Sequence, residues 1–226
     1  MIHAVTRAEE LEANLSAVRR RLAATGNEVV LIAVSKTWPA TDVEVLRGLG
    51  VRDFGENRDS DARTKATKVT GVCWHFVGGV QTNKARSVAA YADVVHSVDR
   101  LRLVDALADG ARRAGRTLQV LVQVSLDDDP RRAGATSAGV PALAAAAAAA
   151  EGLHLAGVMA VAPLGAEPRV AFGRLAEVAA AVRADHPGAQ MISAGMSGDL
   201  EAAVAAGATH VRVGTALFGH RPPVLR

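Results

Sequence analysis

The sequence predicts an α/β protein, a single (β/α)8 barrel of the TIM type with an extra helix at its amino terminus. Eight short apolar segments rich in β-favouring residues alternate with helix-length segments along the 226 residues. Strands separated in this way pair in parallel through right-handed crossovers, and eight of them favour a closed barrel. Half of the residues are hydrophobic and no linker-like stretch divides them, so we expect one domain over residues 1–226.

A doubly wound open sheet is the alternative arrangement of the same elements. Its dinucleotide-binding form carries Gly-x-Gly-x-x-Gly after the first strand, and this sequence has no such motif there. The closed barrel is therefore preferred.

The opening helix is predicted over residues 6–24, where leucines and valines recur at helical spacing and Gly26 follows. The seven alanines of residues 144–150 fall where a crossover helix is due, and alanine is the strongest helix former. The predicted strands are residues 31–36, 52–55, 73–78, 93–98, 118–125, 153–161, 190–194 and 209–213. The helices between them are residues 42–49, 58–69, 82–90, 100–114, 137–151, 167–185 and 199–206.

Composition excludes several classes of function. Lys and Arg outnumber Asp and Glu by 26 to 23 without clustering, and aromatic residues are few, which argues against nucleic-acid binding. Charges occupy the amino terminus where a signal peptide needs an apolar core, and no long apolar span follows, so a cytoplasmic protein without membrane contact is expected. Cys73 is the only cysteine, which rules out an intrachain disulfide and predicts a buried, inert thiol.

Lys36 closes the first apolar strand, so it is expected at the carboxyl end of that strand, where barrels of this kind place their active sites. A lysine is seldom buried unless it is paired or used chemically, and partial burial makes its amine a better nucleophile for Schiff-base formation. The hypothesis is that Lys36 holds an aldehyde cofactor.

The loops after the last two predicted strands indicate a phosphate site. They contain Ser197, Gly214 and Thr215, which supply hydroxyl groups and a close backbone approach. Barrels of this type often bind phosphate at these two loops. Ser197 could instead, or also, cap the helix that follows it.

Arg212 lies within the predicted last strand, on the same face as Gly214. Since helices cover the outside of a barrel, this arginine is expected to point into the mouth and to need an acceptor there, although a structural salt bridge is the alternative. Asn57 and His75 are weaker candidates, because a strand-end Asn often bonds loop backbone and a single His is often a hydrogen-bonded core residue. An amine, a phosphate site and a buried cation on one rim suit pyridoxal 5′-phosphate.

The sequence resembles the pyridoxal phosphate homeostasis family, also called the YggS or PROSC family. The matching stretches cover nearly the whole chain, in the family's order: AVSK ending at Lys36, FGEN ending at Asn57, WHFVG, QTNK, HSVD, GMSGD and VRVGTALFGHR. The resemblance implies a barrel like the amino-terminal domain of alanine racemases, and a Schiff base at Lys36. It also implies phosphate contacts from Ser197, Gly214 and Thr215, Arg212 facing the pyridine nitrogen, and Asn57 near the ring.

The same resemblance implies a cofactor carrier or regulator in place of an enzyme, with PLP-dependent apoenzymes as possible partners. Racemases of this fold use a second base from a further domain, which this chain lacks, so a monomer is expected. Tyr91, the only tyrosine, is predicted at the opposite end of the barrel. A permanent cation at the pyridine nitrogen also weakens the ring as an electron sink. A weak amino-acid racemase is the alternative, and a Schiff-base aldolase or sugar-phosphate isomerase is a third possibility.

Overall fold

The computed structural model describes residues 5–127, 129 and 132–220, which form a closed parallel barrel of eight strands with helices around it. The strands are β1 Val30–Val34, β2 Asp53–Glu56, β3 Cys73–Phe76, β4 Val94–Val98, β5 Leu118–Gln123, β6 Leu153–Met159, β7 Met191–Ser193 and β8 His210–Val213. The helices are α1 Arg7–Ala23, α2 Ala40–Gly48, α3 Asp59–Lys68, α4 Ala85–Tyr91, α5 Leu101–Arg113, α6 Val140–Ala149, α7 Pro168–Asp185, α8 Leu200–Ala205 and α9 Thr215–Phe218. Short 3-10 turns at Thr82–Lys84 and Ser137–Gly139 lead into α4 and α6.

The pairing of the first and last strands closes the sheet. β1 pairs in parallel with β2 on one side and with β8 on the other, with Ile32 opposite Arg212. An open doubly wound sheet would leave these two strands as edges, so the predicted barrel is confirmed and the alternative is wrong.

All eight predicted strands exist, but several end earlier than predicted. β1 stops at Val34, and Lys36 lies in a turn in which the Trp38 N–H bonds the Ser35 carbonyl at 3.0 Å. The apolar and β-favouring residues continue past the point where pairing stops, because the loops of the rim are also partly buried. Helix α9 was not predicted, since four residues are too few to show a period.

Helix α1 is the extra amino-terminal helix. Thr6 and Glu9 form a capping box at its start, and Leu11, Leu15 and Val18 bury one face against α2 and α9. This packing brings α1 beside the rim that carries the candidate site.

The alanine-rich segment forms helix α6, as predicted. Its small side chains Ala144 and Ala147 are buried in the cluster that lies between the sheet and the helices. Of the helices that the structure describes, none combines the length and the apolarity needed to cross a membrane.

Candidate functional site

One cavity of about 390 Å³ at the carboxyl end of the barrel brings together five of the six predicted site residues. Its volume lies within the usual range for small-molecule sites. The residues that line it are Val34, Lys36, Thr37, Trp38, Met196, Ser197, Gly198, Arg212, Gly214, Thr215, Gly219 and His220. They come from the loops after β1, β7 and β8, three neighbouring strands of the closed sheet.

Lys36 lies in the turn after β1 and is exposed, so the expectation that it is partly buried is not met. The next residue, Thr37, has a positive φ of 69°, which is uncommon for a residue that is not glycine. Such a conformation is held only where the surroundings enforce it, and it often occurs at functional sites. The turn therefore presents the Lys36 amine to the cavity from a constrained backbone.

Trp38 provides part of that constraint. The Trp38 ring stacks on the Phe218 ring with their centroids 6.0 Å apart. The guanidinium of Arg7, on α1, lies 4.3 Å from the centroid of the Trp38 ring. Arg7 also donates to Asp42 of α2 at 2.7 Å and to the Phe218 carbonyl at 3.0 Å. The amino-terminal helix is thus bonded to α2 and α9, the helices that follow β1 and β8.

The predicted phosphate site is built from two loops that are bonded to each other. The hydroxyl of Ser197 accepts a hydrogen bond of 3.2 Å from the backbone N–H of Ala216, at the start of α9. Its bonding partner therefore lies on the β8 loop, and no side-chain cap is formed at the start of α8, where Asp199 occupies the cap position. Asp199 instead accepts from the Met196 N–H at 2.6 Å and fixes the first part of the loop.

Gly195 explains why this loop can pass so close to α8. It has a φ of +87°, and a Cβ atom there would lie 2.7 Å from the Cβ of Ala203. Only glycine meets both conditions without strain. Gly198 in the same loop has no atom within 4 Å of such a Cβ position, so it lies in open space.

Arg212 is 5% exposed and places a buried positive charge at the cavity. One of its terminal nitrogens donates to the Ser193 hydroxyl at 2.6 Å and the other to the Ala160 carbonyl at 2.9 Å. Burial lowers the pKa of Arg212 to about 10, which still leaves the guanidinium protonated at neutral pH. Arg212 points inward, as predicted. Its guanidinium donates to a hydroxyl and a carbonyl and does not form the structural salt bridge that was the alternative.

A chain of buried polar side chains continues from Arg212 across the interior of the barrel. Ser193 lies 2.9 Å from Nδ1 of His96, and His96 Nε2 lies 2.8 Å from Nδ1 of His75. The other nitrogen of His75 lies 3.0 Å from Asp53, at the opposite end of the barrel. His75 is therefore a hydrogen-bonded core residue, which is the common role of a single histidine noted from the sequence. The sequence did not indicate the roles of Ser193, His96 and Asp53. Alternating polar residues within short apolar strands are the signal that could have indicated them.

Asn57 lies directly after β2 and borders a neighbouring cavity of about 550 Å³, outside the group around Lys36. Its Oδ1 atom is buried and has no hydrogen-bond partner among the residues that the structure describes. A Cβ atom on Gly78 would lie 2.3 Å from the Asn57 carbonyl, so glycine is required for the close approach of these two loops. The unpartnered Oδ1 is an acceptor that suits a ligand donor at this rim.

Glu56 and Lys65 form a buried ion pair beneath the rim, which sequence reasoning also missed. Lys65 of α3 contacts the Glu56 carboxylate and donates to the Ser35 carbonyl at 2.7 Å. The Ser35 hydroxyl donates to Glu56 at 2.6 Å. Because Ser35 precedes Lys36 and Glu56 precedes Asn57, this cluster ties together the two strand ends that carry them.

A larger cavity of about 800 Å³ lies outside the barrel, between α3 and α4. Tyr91, the last residue of α4, lines this cavity and does not line the cavity that holds Lys36. The lining of the larger cavity comes from α3 and α4, with Trp74 of β3 and loop residues such as Asn83 and Arg116. None of the predicted site residues lines it, so we place the functional site at the smaller rim cavity.

Comparisons with known proteins define the class of this barrel. Residues 7–222 match the family model described as alanine racemase, N-terminal domain. The structure of alanine racemase from Corynebacterium glutamicum aligns over 97% of this chain and 62% of its own length, with a TM-score of 0.75 and 15% identity. At that identity the likeness establishes the fold alone.

More similar sequences identify the family within that class. The pyridoxal phosphate homeostasis protein of Mycobacterium tuberculosis is 43% identical, covering 95% of this chain and 94% of the relative, and that of Escherichia coli K12 is 38% identical, covering 92% of each. The structure of PipY from Synechococcus elongatus with PLP bound aligns over 92% of this chain and all of PipY, with a TM-score of 0.81 and 35% identity. The chain belongs to the family of pyridoxal phosphate homeostasis proteins.

Proposed function

We propose that this protein binds pyridoxal 5′-phosphate in the rim cavity and acts as a carrier or regulator of the cofactor. The observation that carries the proposal is the convergence of Lys36, Arg212 and the paired loops of Ser197 and Thr215 on one cavity. Relatives named pyridoxal phosphate homeostasis proteins, and PipY with PLP bound, support the same assignment.

The residues fit the cofactor on chemical grounds. Hydroxyl groups of Ser197 and Thr215, with the backbone at Gly214, form a polar cup for a phosphate group. The protonated guanidinium of Arg212 suits an acceptor such as a pyridine nitrogen, and the unpartnered Oδ1 of Asn57 suits a donor. The amine of Lys36 is free to form the Schiff base with an aldehyde, with loss of water. When bound, the cofactor would supply an electron sink for amino-acid chemistry.

The carrier interpretation rests on what faces Lys36. No tyrosine lines the cavity among the residues the structure describes. Arg212 keeps a permanent positive charge near the ring position, which opposes protonation of a pyridine nitrogen there. Neither feature favours a two-base racemisation. An exposed Lys36 is also accessible to solvent, as release of a cofactor requires.

The spectrum of the purified protein tests cofactor binding. We expect a yellow protein whose colour is bleached by borohydride, with the reduced adduct located on the Lys36 peptide by mass spectrometry. Lys36→Ala should be colourless, whereas Lys68→Ala, at an exposed lysine on α3, should keep the spectrum. A colourless wild-type protein that gains no reducible adduct with added pyridoxal 5′-phosphate would refute the proposal.

A transfer assay separates carrier from enzyme. The loaded protein should restore activity to a PLP-dependent apoenzyme, while assays with a panel of amino acids should show no racemisation at ordinary enzyme rates. His220 also lines the cavity and is the remaining side chain there that could act as a base beside Lys36. Robust racemisation that disappears in His220→Gln would establish the alternative, a racemase.

A further inference from the structure

Three different donor groups meet at the amino-terminal end of the barrel, opposite from the Lys36 cavity. Asp53 begins β2 and Cys73 begins β3, and the two residues are partners in the sheet register. His75 lies two residues along β3, so its side chain points to the same face as that of Cys73. A carboxylate oxygen, the Cys73 sulfur and a nitrogen of His75 all lie within 4.8 Å of one another. Over the described ranges of the chain, no other trio of His, Cys, Asp or Glu has this spacing.

The group is enclosed by the barrel on one side and open on the other. Cys73 packs against the interior apolar cluster that includes Leu121 and Met159, and His75 is 2% exposed. The Asp53 side chain is 28% exposed. Cys73 is also partly exposed, so an ion has a path in from solvent, while the nitrogen ligand of His75 lies deeper.

The ring of His75 is already oriented for coordination. Its Nδ1 atom is bonded to Nε2 of His96 at 2.8 Å, which directs its Nε2 atom towards the Asp53 carboxylate at 3.0 Å. Histidines that bind metals use one ring nitrogen and have the other held by a hydrogen-bonding partner, which fixes the ring. His96 supplies that partner here.

We propose that Asp53, Cys73 and His75 form a binding site for a divalent cation of the zinc type. A mixed set of thiolate, imidazole and carboxylate suits Zn²⁺, whereas Mg²⁺ and Ca²⁺ favour sites made of oxygen atoms alone. Three protein ligands leave a fourth tetrahedral position for water. The site is separate from the cofactor cavity and does not depend on the function proposed above.

The proton balance of binding is simple. The S–H bond of Cys73 breaks as the sulfur coordinates the ion, and one proton passes to solvent. Before binding, Nε2 of His75 donates its proton to the Asp53 carboxylate, and Nδ1 accepts from His96 Nε2. Coordination through Nε2 requires the other tautomer, with the His75 proton on Nδ1 donated to His96 Nε2 and the His96 proton on Nδ1 facing Ser193. The two rings together keep the same number of protons, and Asp53 binds as the carboxylate. No electron is transferred.

Cobalt binding provides the test, because Co²⁺ takes the place of Zn²⁺ and is visible in absorption. Since Cys73 is the only cysteine, a thiolate-to-cobalt band in the difference spectrum of the reduced, full-length protein reports on that residue alone. We expect this band on titration with Co²⁺ and its loss when Zn²⁺ is added. Cys73→Ser should abolish it, and Asp53→Asn should weaken cobalt binding by at least about tenfold.

His154→Ala is the matched control, since His154 is exposed on β6 and lies outside the group. It should leave cobalt affinity unchanged. Absence of a thiolate band in the folded, reduced wild-type protein would overturn the proposal. A band of equal affinity in Asp53→Asn would also overturn it, because the carboxylate would then not be a ligand. Circular dichroism of Cys73→Ser, Asp53→Asn and His154→Ala checks that each variant is folded.

Discussion

The Nδ1 atom of His75 lies 2.8 Å from the Nε2 atom of His96 in the interior of the barrel. One proton serves this contact, since one nitrogen must donate and the other accept. The pair lies in the middle of the polar chain that links Arg212, at the rim that carries Lys36, to Asp53 at the other end of the barrel. These hydrogen bonds connect the two ends of the barrel, and they join side chains from strands β8, β7, β4, β3 and β2 across its interior.

Removing one hydroxyl should break this chain beside the site. Ser193→Ala removes the partner of one terminal nitrogen of Arg212, which keeps its bond to the Ala160 carbonyl, and the partner of Nδ1 of His96, both in a buried setting. We expect a loss of about 1–3 kcal/mol in the free energy of unfolding, with weaker retention of pyridoxal 5′-phosphate. Urea denaturation and cofactor titration measure the two effects. Ser60→Ala, at an exposed serine on α3, is the control, and equal behaviour of the two variants would show that the chain contributes nothing.

Buried histidines should make the fold sensitive to mild acid. Burial, with nearby positive charge as a smaller cause, holds the pKa of His96 well below its ordinary value, and burial lowers that of His210 to about 4. In the unfolded chain both histidines protonate below about pH 6.5, so that state then binds more protons than the folded one. The free energy of unfolding should therefore fall as pH drops from about 6.5 to 5, by up to about 1.4 kcal/mol per pH unit for each histidine.

Urea denaturation at several pH values measures this slope. His210→Asn should reduce it, whereas His154→Asn, at an exposed position, should not. A slope that is the same in all three proteins would mean that His210 is not buried in its neutral form.

The ion pair beneath the rim gives a further prediction. Lys65→Met leaves the Glu56 carboxylate without its charged partner, and the Glu56 side chain is only 1% exposed. We expect a loss of about 3–5 kcal/mol in the free energy of unfolding, and a partial recovery when Glu56→Gln is added. Lys68→Met, on the exposed side of the same helix, should have little effect. If the double variant is no more stable than Lys65→Met, the cost does not come from the stranded carboxylate.

Two glycines in one loop form a matched pair for testing the phosphate site. Gly195→Ala places a methyl group 2.7 Å from the Cβ of Ala203 at a φ of +87°, so it should destabilise the fold and weaken binding of pyridoxal 5′-phosphate. Gly198→Ala adds a methyl group with no protein atom within 4 Å, so it should leave the fold intact and is a control for folding alone, since Gly198 also lines the cavity. Thermal unfolding and titration with the cofactor measure the effect of Gly195→Ala. A wild-type affinity in Gly195→Ala would place the phosphate group away from this loop.

The amino-acid sequence by itself determined the number and order of the strands, the closed barrel, and the positions of Lys36, Ser197, Gly214 and Thr215 near its rim. These follow from local patterns, because strand and helix periods and glycine-rich loops are visible within a few residues. Strand ends were less well determined: β6 ends at Met159, although the apolar residues Ala160 and Val161 follow it.

Only the tertiary structure decided which side chains share a contact across the barrel. Lys65 meets Glu56, and His96 meets His75 and Ser193, from positions 9, 21 and 97 residues apart along the chain. The same holds for the exposure of Lys36 and for the meeting of Asp53 with Cys73. Such pairings depend on the register of neighbouring strands, and a one-dimensional pattern does not show which of their residues lie at the same height of the barrel.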